Sequence, residues 1–521
     1  MQVRPTITII ALLAIGTTSQ AVQAGGTDQP LFEPRPVPEH IYDGGWEHFV
    51  GGGLASLDCN RDRLPDLVAA GGDNPVQLLV NRTKGPGSPL RFIAETPATL
   101  AQTGVTGVYP LDIDGDDIMD LALLRVGPDK LLRGSGDCQF EPFDGLGFIS
   151  DEHWTTAFSA TWEADSKLPT LAFGTYVDRD NPEGPFETCD DTLLYRPDGD
   201  SYGPPIKLQP GYCALSILFT NWHRTDGGLA QGRADLRVSN DRHYYVRDGQ
   251  EQMWKMTTPP SLYKQNDGWV PYHLWGMGIA SRDLNGDGFS DVYLTSMGDQ
   301  KLQLFDPSSI GPTYRDVTYD FGTTAHRPTS GGDGRPSTGW HADFGDVNND
   351  GRDDIFVAKG NVEQMPDAAM RDPNTLLMQS TNGRFSDMAA AAGVASMARS
   401  RGAVLRDLNL DGRLDLAVSN RRAPLELFEN ITQSDGNWLT ISLEAPAPNT
   451  QAIGAFVELD DGTRIQTREV TIGGGHAGGS SGDLHFGLGS SHGIRLRIIW
   501  PDGTKTEWQN VIANQHITVS R

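Results

Sequence analysis

Five copies of an acidic nine-residue motif are spaced along this chain and divide most of it into repeats. They share the pattern D-x-(D/N)-x-D-x-x-x-D and begin at Asp58, Asp112, Asp283, Asp346 and Asp407. Each is followed by an apolar run such as DLALLRVG or DVYLTSMG, which predicts that the motif is a loop between two β-strands. Neighbouring copies begin 54, 63 and 61 residues apart, and the gap from 112 to 283 is 171 residues, the length of three repeats.

Two degenerate copies fill this gap. WEADSKLPTLAFGTY, from Trp162, keeps the strand but lacks most of the acidic loop, and ADLRVSND, from Ala234, keeps the strand after an enlarged loop. Seven units of about 55 to 60 residues match four-stranded propeller blades, in which ring closure protects the sheet edges. We therefore predict an all-β fold with a seven-bladed β-propeller over residues 46–432. A linear β-solenoid is the structural alternative, but it would need end caps that the sequence does not show.

The repeats are flanked by two different segments. Residues 25–45 are rich in Pro and Gly, which predicts an extended leader into the first blade. From residue 433 the repeat stops. Alternating strands joined by turns at Asp461-Gly462 and Asp502-Gly503 predict a small, β-sandwich-like domain over 433–521.

Two matches to catalytic motifs lie in one glycine-rich loop of this tail. Residues 473–478 match G-x-G-x-x-G and residues 478–482 match G-x-S-x-G. The loop lies between strands and no helix follows it, so we expect neither a dinucleotide site nor a nucleophilic serine there. The sequence contains no H-E-x-x-H motif and no P-loop.

Residues 1–24 have the features of an export signal. Arg4 precedes the apolar run ITIIALLAIG, and small residues follow at Val22-Gln23-Ala24, as in a cleaved secretory signal. A buried core segment is the alternative. No later stretch approaches about 18 consecutive apolar residues. We therefore expect no transmembrane segment after signal removal, and a secreted or periplasmic protein.

The four cysteines, Cys59, Cys138, Cys189 and Cys213, lack C-x-x-C spacing. In an oxidising compartment an even number predicts two disulfides rather than a metal site. We favour Cys59 with Cys138 and Cys189 with Cys213, although three pairings are possible and the sequence does not choose among them.

The charge balance excludes one class of partner. The chain has 68 Asp and Glu against 42 Lys and Arg, a formal net charge of −26, which argues against nucleic acid and anionic membranes. Cations are the natural ligands of such a chain. The sequons Asn81-Arg-Thr and Asn430-Ile-Thr matter only where the host glycosylates exported proteins.

The acidic motifs have the composition of calcium loops. In this pattern the side chains at positions 1, 3, 5 and 9 and the carbonyl at position 7 supply hard oxygen ligands, which suit Ca²⁺ better than Mg²⁺. We number the loops 1 to 5 and predict about three to five calcium ions. The predicted ligands are Asp58, Asn60, Asp62, Leu64 and Asp66 in loop 1; Asp112, Asp114, Asp116, Ile118 and Asp120 in loop 2; Asp283, Asn285, Asp287, Phe289 and Asp291 in loop 3; Asp346, Asn348, Asp350, Arg352 and Asp354 in loop 4; and Asp407, Asn409, Asp411, Arg413 and Asp415 in loop 5.

Position 6 separates these loops into two groups. Loops 3 to 5 have Gly288, Gly351 and Gly412 there, where a sharp turn asks for a positive φ. Loops 1 and 2 have Arg63 and Asp117, and Asp tolerates left-handed geometry better than Arg does. The alternative for all five is an Asp-rich turn capped by its own backbone amides.

Tryptophan and histidine are paired near the start of five units. The pairs are Trp46/His48, His153/Trp154, Trp222/His223, His273/Trp275 and Trp340/His341. In a propeller, residues leading into the innermost strand ring the mouth of the central channel. There the imidazoles could bind a transition metal, or line a polar pocket with Trp as a stacking surface. Packing of Trp between blades, with His bonded to the backbone, is the structural alternative.

The motifs WGMGIASRDLNGDGFSDVYLTS, GWHADFGDVNNDGRDDIFVAKGNV and RGAVLRDLNLDGRLDLAVSN, together with the tail elements NWLTISLE, LHFGLG and IIWPDGTKTEW, closely resemble the cartilage acidic protein family. Its members are exported propellers of FG-GAP/VCBS-type repeats with integrin α-like calcium loops and a C-terminal ASPIC/UnbV domain. The resemblance covers nearly the whole mature chain. It implies a propeller, calcium at the matching Asp and Asn positions, and an extracellular or periplasmic setting. It implies no reaction.

Two functions follow from these features. The first is a non-enzymatic binding, adhesion or scaffold module, in which calcium stiffens the propeller and loops at 255–274 and 321–340 contact a glycan or protein. The second is an exported metalloenzyme that uses the channel-mouth histidines and a second metal.

Overall fold

The structure is a computed structural model that describes residues 29–163, 166–181, 188–224, 234–241, 248–329, 331–363 and 365–521. The predicted export signal and part of each degenerate repeat lie outside the described residues. Strand makes up 44% of the chain and helix 3%, which confirms the all-β class. Within the described ranges, no helix is long and apolar enough to cross a membrane.

The repeats form successive antiparallel sheets, which we number in chain order. After β1 (Phe32–Arg35), sheet 1 has β2 (Leu54–Leu57), β3 (Asp66–Ala69), β4 (Gln77–Asn81) and β5 (Phe92–Ala94), and sheet 2 has β6 (Val105–Leu111), β7 (Asp120–Gly127), β8 (Lys130–Gly136) and β9 (Gln139–Pro142). Sheet 3 has β10 (His153–Thr161), β11 (Thr170–Thr175), β12 (Thr192–Tyr195) and, beyond a hairpin of β13 (Pro197–Asp198) and β14 (Ser201–Tyr202), β15 (Ile206–Leu208). A short pairing of β7 with β10 joins sheets 2 and 3.

The remaining repeats follow the same order. Sheet 4 has β16 (Ala214–Thr220), β17 (Asp235–Asn240), β18 (Gln252–Lys255) and β19 (Ser261–Leu262), and sheet 5 has β20 (Gly276–Arg282), β21 (Asp291–Ser296), β22 (Lys301–Phe305) and β23 (Tyr314–Asp316). Sheet 6 has β24 (Gly339–Gly345), β25 (Asp354–Lys359), β26 (Thr375–Gln379) and β27 (Phe385–Asp387), and sheet 7 has β28 (Ser400–Arg406), β29 (Asp415–Asn420), β30 (Glu426–Asn430) and β1. Short helices α1 (Thr318–Phe321) and α2 (Ala389–Ala392) follow sheets 5 and 6, and two 3₁₀ turns span Trp46–His48 and Gln265–Asp267.

The sheets form a closed, propeller-like ring. The first strand of each sheet contacts the first strand of the next, and β28 of sheet 7 contacts β2 of sheet 1. Each sheet packs face to face on its neighbour, so the strands are apolar on both faces; β6 (VTGVYPL) is buried along its whole length. One cluster, for example, joins Val68 and Leu78 of sheet 1 to Leu121 and Leu132 of sheet 2.

The two ends of the repeat region pair with each other in sheet 7. Residues Phe32–Arg35, inside the segment interpreted as a leader, form β1 and run antiparallel to β30. Arg35 donates to Glu429 at 2.7 Å, and the Glu429 side chain is 8% exposed. The backbone N–H of Leu90, in sheet 1, donates to the same carboxylate. A strand from the start of the chain therefore completes the last sheet.

Both sequon asparagines are buried between sheets. The Asn81 side-chain amide donates to Pro65 and, across the sheet boundary, to the Leu408 carbonyl at 2.8 Å. Asn430 donates in the same way to Leu414 and Val347. The amide nitrogen that glycosylation would need is thus used to link neighbouring repeats.

The two predicted disulfides are confirmed. Cys59 is bonded to Cys138, which ties loop 1 to the β8–β9 hairpin of sheet 2, and Cys189 is bonded to Cys213, between sheets 3 and 4. Each disulfide therefore links neighbouring repeats.

Two sheets with a shared core form the C-terminal region. One has β31 (Asn437–Glu444), β34 (Leu484–Gly489) and β37 (Gln515–Ser520), and the other has β32 (Phe456–Asp460), β33 (Ile465–Glu469), β35 (Ile494–Ile499) and β36 (Gln509–Val511). Leu439 and Phe486 of the first sheet pack with Val457 and Leu496 of the second.

The glycine-rich loop of this region, residues 471–482, enters the centre of the ring. It makes bridge contacts with the first strands of five sheets, pairing Ile472 with Ala160, Gly473 with Leu218, Gly475 with Ile279, Gly478 with Val108 and Ser480 with Ser56. The two catalytic-motif matches are therefore part of a segment that fills the channel. They form neither a dinucleotide site nor a nucleophile turn.

His476 is the fully buried centre of this loop. Its Nε2 accepts the Gly51 N–H at 3.1 Å, so Nδ1 carries the proton and donates to the Met277 carbonyl at 2.9 Å. Its own backbone N–H donates to Nδ1 of His341. Burial lowers the pKa of His476 to about 3, so the ring stays neutral.

Close approach of the loop requires glycine in the propeller strands. A Cβ on Gly53 would lie 1.7 Å from the Ala477 carbonyl oxygen. We expect Gly53→Ala to lower the free energy of unfolding by about 1–3 kcal/mol, the usual cost of overpacking, in a urea titration. Gly85→Ala is the matched control, because nothing lies within 4 Å of the added methyl group. Equal stability of the two variants would contradict the docking of this loop.

Candidate functional site

All five acidic loops lie at one end of the ring. Each connects the first strand of its sheet to the second, and its ninth residue is the first residue of that second strand. The C-terminal region covers this end: Thr450 donates to the Asp112 carboxylate, Gly489 N–H donates to the Asn349 carbonyl, and His516 lies 3.4 Å from Asp407. The loops are therefore also part of an interface.

The first aspartate of each loop caps the turn. One of its oxygens accepts the position-6 N–H at 2.7 to 3.0 Å in all five loops. Position 6 has a positive φ in every case, including Arg63 at 72° and Asp117 at 67°. The amide capping that the alternative interpretation predicted is thus present. A carboxylate oxygen with one N–H donor still has a lone pair for a cation.

The middle of the loop gathers further oxygens. The carboxylate at position 5 accepts the position-7 N–H in each loop, at 2.9 or 3.0 Å. In loop 2, one oxygen from each of Asp112, Asp114 and Asp116 lies within 4.8 Å of the others, and this is the one all-carboxylate trio of that kind in the described chain. The other loops have Asn at position 3, which supplies a neutral oxygen.

The last aspartate of each loop joins three segments. One oxygen accepts the position-2 N–H and the other accepts an N–H at the third strand of the sheet; for Asp291 the donors are Leu284 at 3.0 Å and Phe305 at 2.9 Å. The same pair of bonds forms at Asp66, Asp120, Asp354 and Asp415. The degenerate repeat of sheet 4 keeps this role in Asp235, which accepts the Met256 N–H. Position 9 is therefore structural whether or not a cation is bound.

Burial and like charge make these carboxylates difficult to ionise. Burial, with a smaller contribution from the neighbouring loop aspartates, raises the pKa of Asp66 to about 7 and that of Asp120 and Asp291 to about 8. The pKa values of Asp354 and Asp415 are raised for the same reasons. A bound cation would reverse this shift, since an opposite charge favours the carboxylate.

Arginines partly neutralise three of the loops. Arg133 contacts Asp114 at 2.9 Å and Asp116 at 2.8 Å in loop 2, while Arg352 and Arg413 pair with the position-5 aspartates of loops 4 and 5. Loop 3 shows no such pair at Asp287 among the described residues. Loop 3 therefore combines Gly288, a position 5 without an ion pair in the described residues and oxygen ligands at every predicted position, although Arg224 donates to its Gly288 carbonyl.

The paired tryptophans and histidines do not form one cluster. His48, His153, His273, Trp275, Trp340 and His341 lie at or before the start of a first strand, at the end of the ring opposite the acidic loops. Trp222 and His223 instead follow β16, within the loop that precedes β17, so they lie at the acidic-loop end. That repeat has an enlarged loop between β16 and β17, and Trp222 and His223 lie in this loop rather than ahead of β16.

Each histidine has its own partner. Nδ1 of His153 lies 2.7 Å from Asp190, Nδ1 of His273 lies 2.9 Å from the Gly249 carbonyl, and His48 lies 3.6 Å from Asp73. In the described residues, no histidine joins a group of three side chains whose ligand atoms lie within 4.8 Å of one another. Trp340 donates to the Gly360 carbonyl beneath the Arg401 guanidinium.

A cavity of about 760 Å³ opens at the channel mouth. It is lined by residues 45–48, Asp73, Glu152, Trp154 and 177–181, which come from the connections of sheets 1 and 3. Trp46 is 50% exposed and packs on Phe49 and buried Trp154. Arg179 is held between Glu47 at 2.7 Å and Glu152 at 3.1 Å.

The two long loops predicted to contact a ligand, 255–274 and 321–340, have side chains that make contacts within the protein. In 255–274, Trp269 is buried under the Arg237 guanidinium and Tyr263 donates to Asp235. In 321–340, Arg327 and Arg335 donate to carbonyls of Gly334 and Pro366. The aromatic residues of the first loop are therefore packing residues.

Two family models match this chain. Residues 58–123 match the FG-GAP-like repeat, which spans loops 1 and 2, and residues 445–521 match ASPIC and UnbV. Cartilage acidic protein 1 of Mus musculus and of Homo sapiens are 25% and 26% identical to the chain over 240 residues, 44% of this chain and 34% of the relative. This chain carries an FG-GAP-like repeat and an ASPIC/UnbV region and is a distant relative of cartilage acidic protein 1. The predicted resemblance is thus confirmed, and the match spans about a third of the relatives' length.

Among solved structures, BBS1N in complex with ARL6DN covers 77% of this chain and 97% of its own, at 10% identity and a TM-score of 0.42.

Sequence reasoning missed the contact between the ASPIC/UnbV region and the ring. His476 and His516, which hold this contact, lie outside the acidic repeats that guided the prediction. Glycines at the start of the first strands, such as Gly53 directly before β2 and Gly278 within β20, were the available signal. They have no side chain to pack, which in a buried strand indicates close approach of another backbone.

In protein stripped of divalent cations, we expect stability to fall as the pH rises from about 4 to about 8. The folded-state pKa of Asp120, about 8, exceeds the unfolded value of about 3.9. The folded state therefore binds more protons in this window, and the free energy of unfolding decreases with pH. Urea titrations at several pH values in excess chelator measure the slope. Asp120→Asn should reduce it, and stability that rises with pH would contradict the prediction.

Proposed function

We propose that this chain is a seven-bladed, calcium-binding β-propeller with a β-sandwich-like ASPIC/UnbV domain, and that it acts as an extracellular or periplasmic binding module. The closed ring of first strands supports the blade count. The disulfides and the relationship to cartilage acidic protein 1 support an extracellular setting. The cavity at the channel mouth carries the functional part of the proposal.

The acidic loops support a structural role for calcium. Each offers hard oxygens from carboxylates, amides and backbone in a turn whose carboxylates are costly to ionise without a counter-charge. Asp283, Asn285, Asp287 and Asp291 with the Phe289 carbonyl would hold the ion in loop 3. The ion would lower the pKa values of these carboxylates and fix the turn between the first and second strands.

The mouth cavity supports binding of an uncharged glycan. Its volume is in the range of ligand sites, and Trp46 presents a ring that is held in place by Phe49 and Trp154. The fixed Arg179–Glu47–Glu152 group offers donors and acceptors for hydroxyl groups. Only polar ligands without negative charge suit this lining, because its acidic residues outnumber its arginine.

The same charge favours a second candidate, a basic segment of a protein partner. Asp73, Asp178 and Asp180 line the cavity beside Glu47 and Glu152. Lysine or arginine side chains would pair with these carboxylates, and a cation would also be attracted to the face of Trp46.

Elemental analysis of protein purified after export without chelators should find about three to five calcium ions, as loops of this composition bind. Asp287→Ala should remove about one ion, because it deletes the position-5 ligand of one loop, and should lower the unfolding temperature in calcium. Asp306→Ala is the matched control, since Asp306 follows β22 of the same sheet, lies outside the acidic loop and accepts from Ser308. Protein without calcium, or an unchanged ion count in Asp287→Ala, would refute the calcium assignment.

Titration calorimetry with neutral oligosaccharides and with oligolysine tests the mouth cavity. Trp46→Ala should weaken binding by about tenfold or more, the loss expected for a rigid aromatic contact, while Tyr319→Ala, an exposed aromatic residue on α1, should not. Binding of oligosaccharides alone supports the glycan module, and binding of oligolysine alone supports the protein module. If Trp46→Ala binds these ligands as tightly as the wild-type protein does, this cavity is not the binding site.

A further inference from the structure

A second cavity lies inside the ring, where the channel meets the ASPIC/UnbV region. Its volume is about 140 Å³, room for about four or five water molecules at liquid density. First strands of sheets 5, 6 and 7 form one side, and β33 with the glycine-rich loop forms the other. It borders loop 5, because Leu414 of that loop is in its lining, and it is separate from the mouth cavity.

Three arginines line this cavity from three different elements. Arg282 ends β20, Arg406 ends β28 and Arg468 lies in β33 of the ASPIC/UnbV region. Burial together with the charge of Arg282 lowers the pKa of Arg468 to about 10, and the same two causes lower the pKa of Arg406, so the arginines repel one another. Such a cluster costs stability unless anions balance it.

The protein supplies only part of that balance. Arg468 donates to Asp353 at 3.1 Å, and Arg282 approaches the same carboxylate at 3.7 Å. The Asp343 side chain also lines the cavity. Glu469 is bonded to Thr220 and Asn221, and burial raises its pKa to about 7.

Several guanidinium N–H groups have no acceptor among the described residues. Arg406 donates to the Asp483 carbonyl at 2.6 Å through Nη1, but in the described part of the chain its buried Nε has no partner. Nε and Nη2 of Arg468, whose side chain is 2% exposed, also have none within the same residues. The Asp483 carboxylate accepts from Ser442 and lies beside His516, and its charge offsets only part of the lowering of the Arg406 pKa by burial.

We propose that this cavity binds one small oxyanion, of the size of sulfate or phosphate, between Arg282, Arg406 and Arg468. Guanidinium groups match the oxygens of such an ion with paired N–H donors. Because Arg468 comes from the ASPIC/UnbV region and the other two come from the propeller, the ion joins the two parts. The mouth cavity, with its acidic lining, excludes the same ion.

Sulfate is the probe, and the full chain in calcium is the sample. The thermal unfolding midpoint of the wild-type protein should rise with sulfate in a saturable manner at constant ionic strength, since the ion binds the folded state. Arg406→Met should weaken the apparent affinity by at least about tenfold, as expected for a lost charged hydrogen bond. Asp343→Asn should strengthen it, because that change removes a repelling carboxylate. Arg82→Met, which alters an exposed arginine, should behave as wild type.

Several results would overturn the proposal. A rise of equal size in Arg406→Met and Arg82→Met would be a general salt effect on stability, and no rise in the wild type would exclude the site. If Arg406→Met does not fold, two other measurements test the site: the sulfate affinity of Asp343→Asn, and anomalous diffraction from crystals soaked in selenate. An unchanged sulfate affinity together with no anomalous peak between the arginines would refute the assignment. Acetate at the same concentration should not saturate, and acetate binding as tight as sulfate would assign a carboxylate site instead.

Discussion

One buried carboxylate in each of the five acidic repeats holds three segments of backbone together, and the geometry of the acidic loops depends on it. The last aspartate of each loop accepts an N–H from the loop and another from the third strand. A buried N–H without an acceptor costs free energy, so the bonds fix the loop against its sheet. The same burial makes the negative charge costly. The fold therefore places a strong acceptor where it is needed structurally and then requires protons, arginines or cations to compensate for its charge.

Local pattern made the all-β class and the repeats predictable, whereas the even number of cysteines indicated two disulfides without fixing which residues pair. The spacing of aspartates and the apolar runs after them reflect contacts within about 20 residues, which a single sequence displays directly. The position of β1 was not predictable in this way, because its partner β30 lies almost 400 residues away. Trp222 and His223 were misplaced because their repeat lacks the acidic motif that fixes the register elsewhere. The sequence identified the residues that could bind a cation. It did not indicate that Arg133, Arg352 and Arg413 form ion pairs with the aspartates of three loops.

The two ends of the ring differ in what covers them. At one end the ASPIC/UnbV region covers the acidic loops, and its Thr450 and His516 contact the first aspartates of loops 2 and 5. Loops 2 and 5 are therefore partly covered by the C-terminal region. At the other end the connections of sheets 1 and 3 leave an open cavity. Under the proposed function, a ligand would enter from this side.

The pairing of β1 with β30 determines when the ring can close. A chain that emerges from its N-terminus exposes β1 first, yet β1 has no partner until residue 430 has followed. The earlier sheets stack on one another as they appear, while the two edges of the growing stack stay open. Ring closure is thus a late event. It is also slow, because the two strands that must pair, β1 and β30, are far apart in the sequence. An interrupted chain that ends before sheet 7 remains an open arc with a free strand edge, the form most exposed to aggregation.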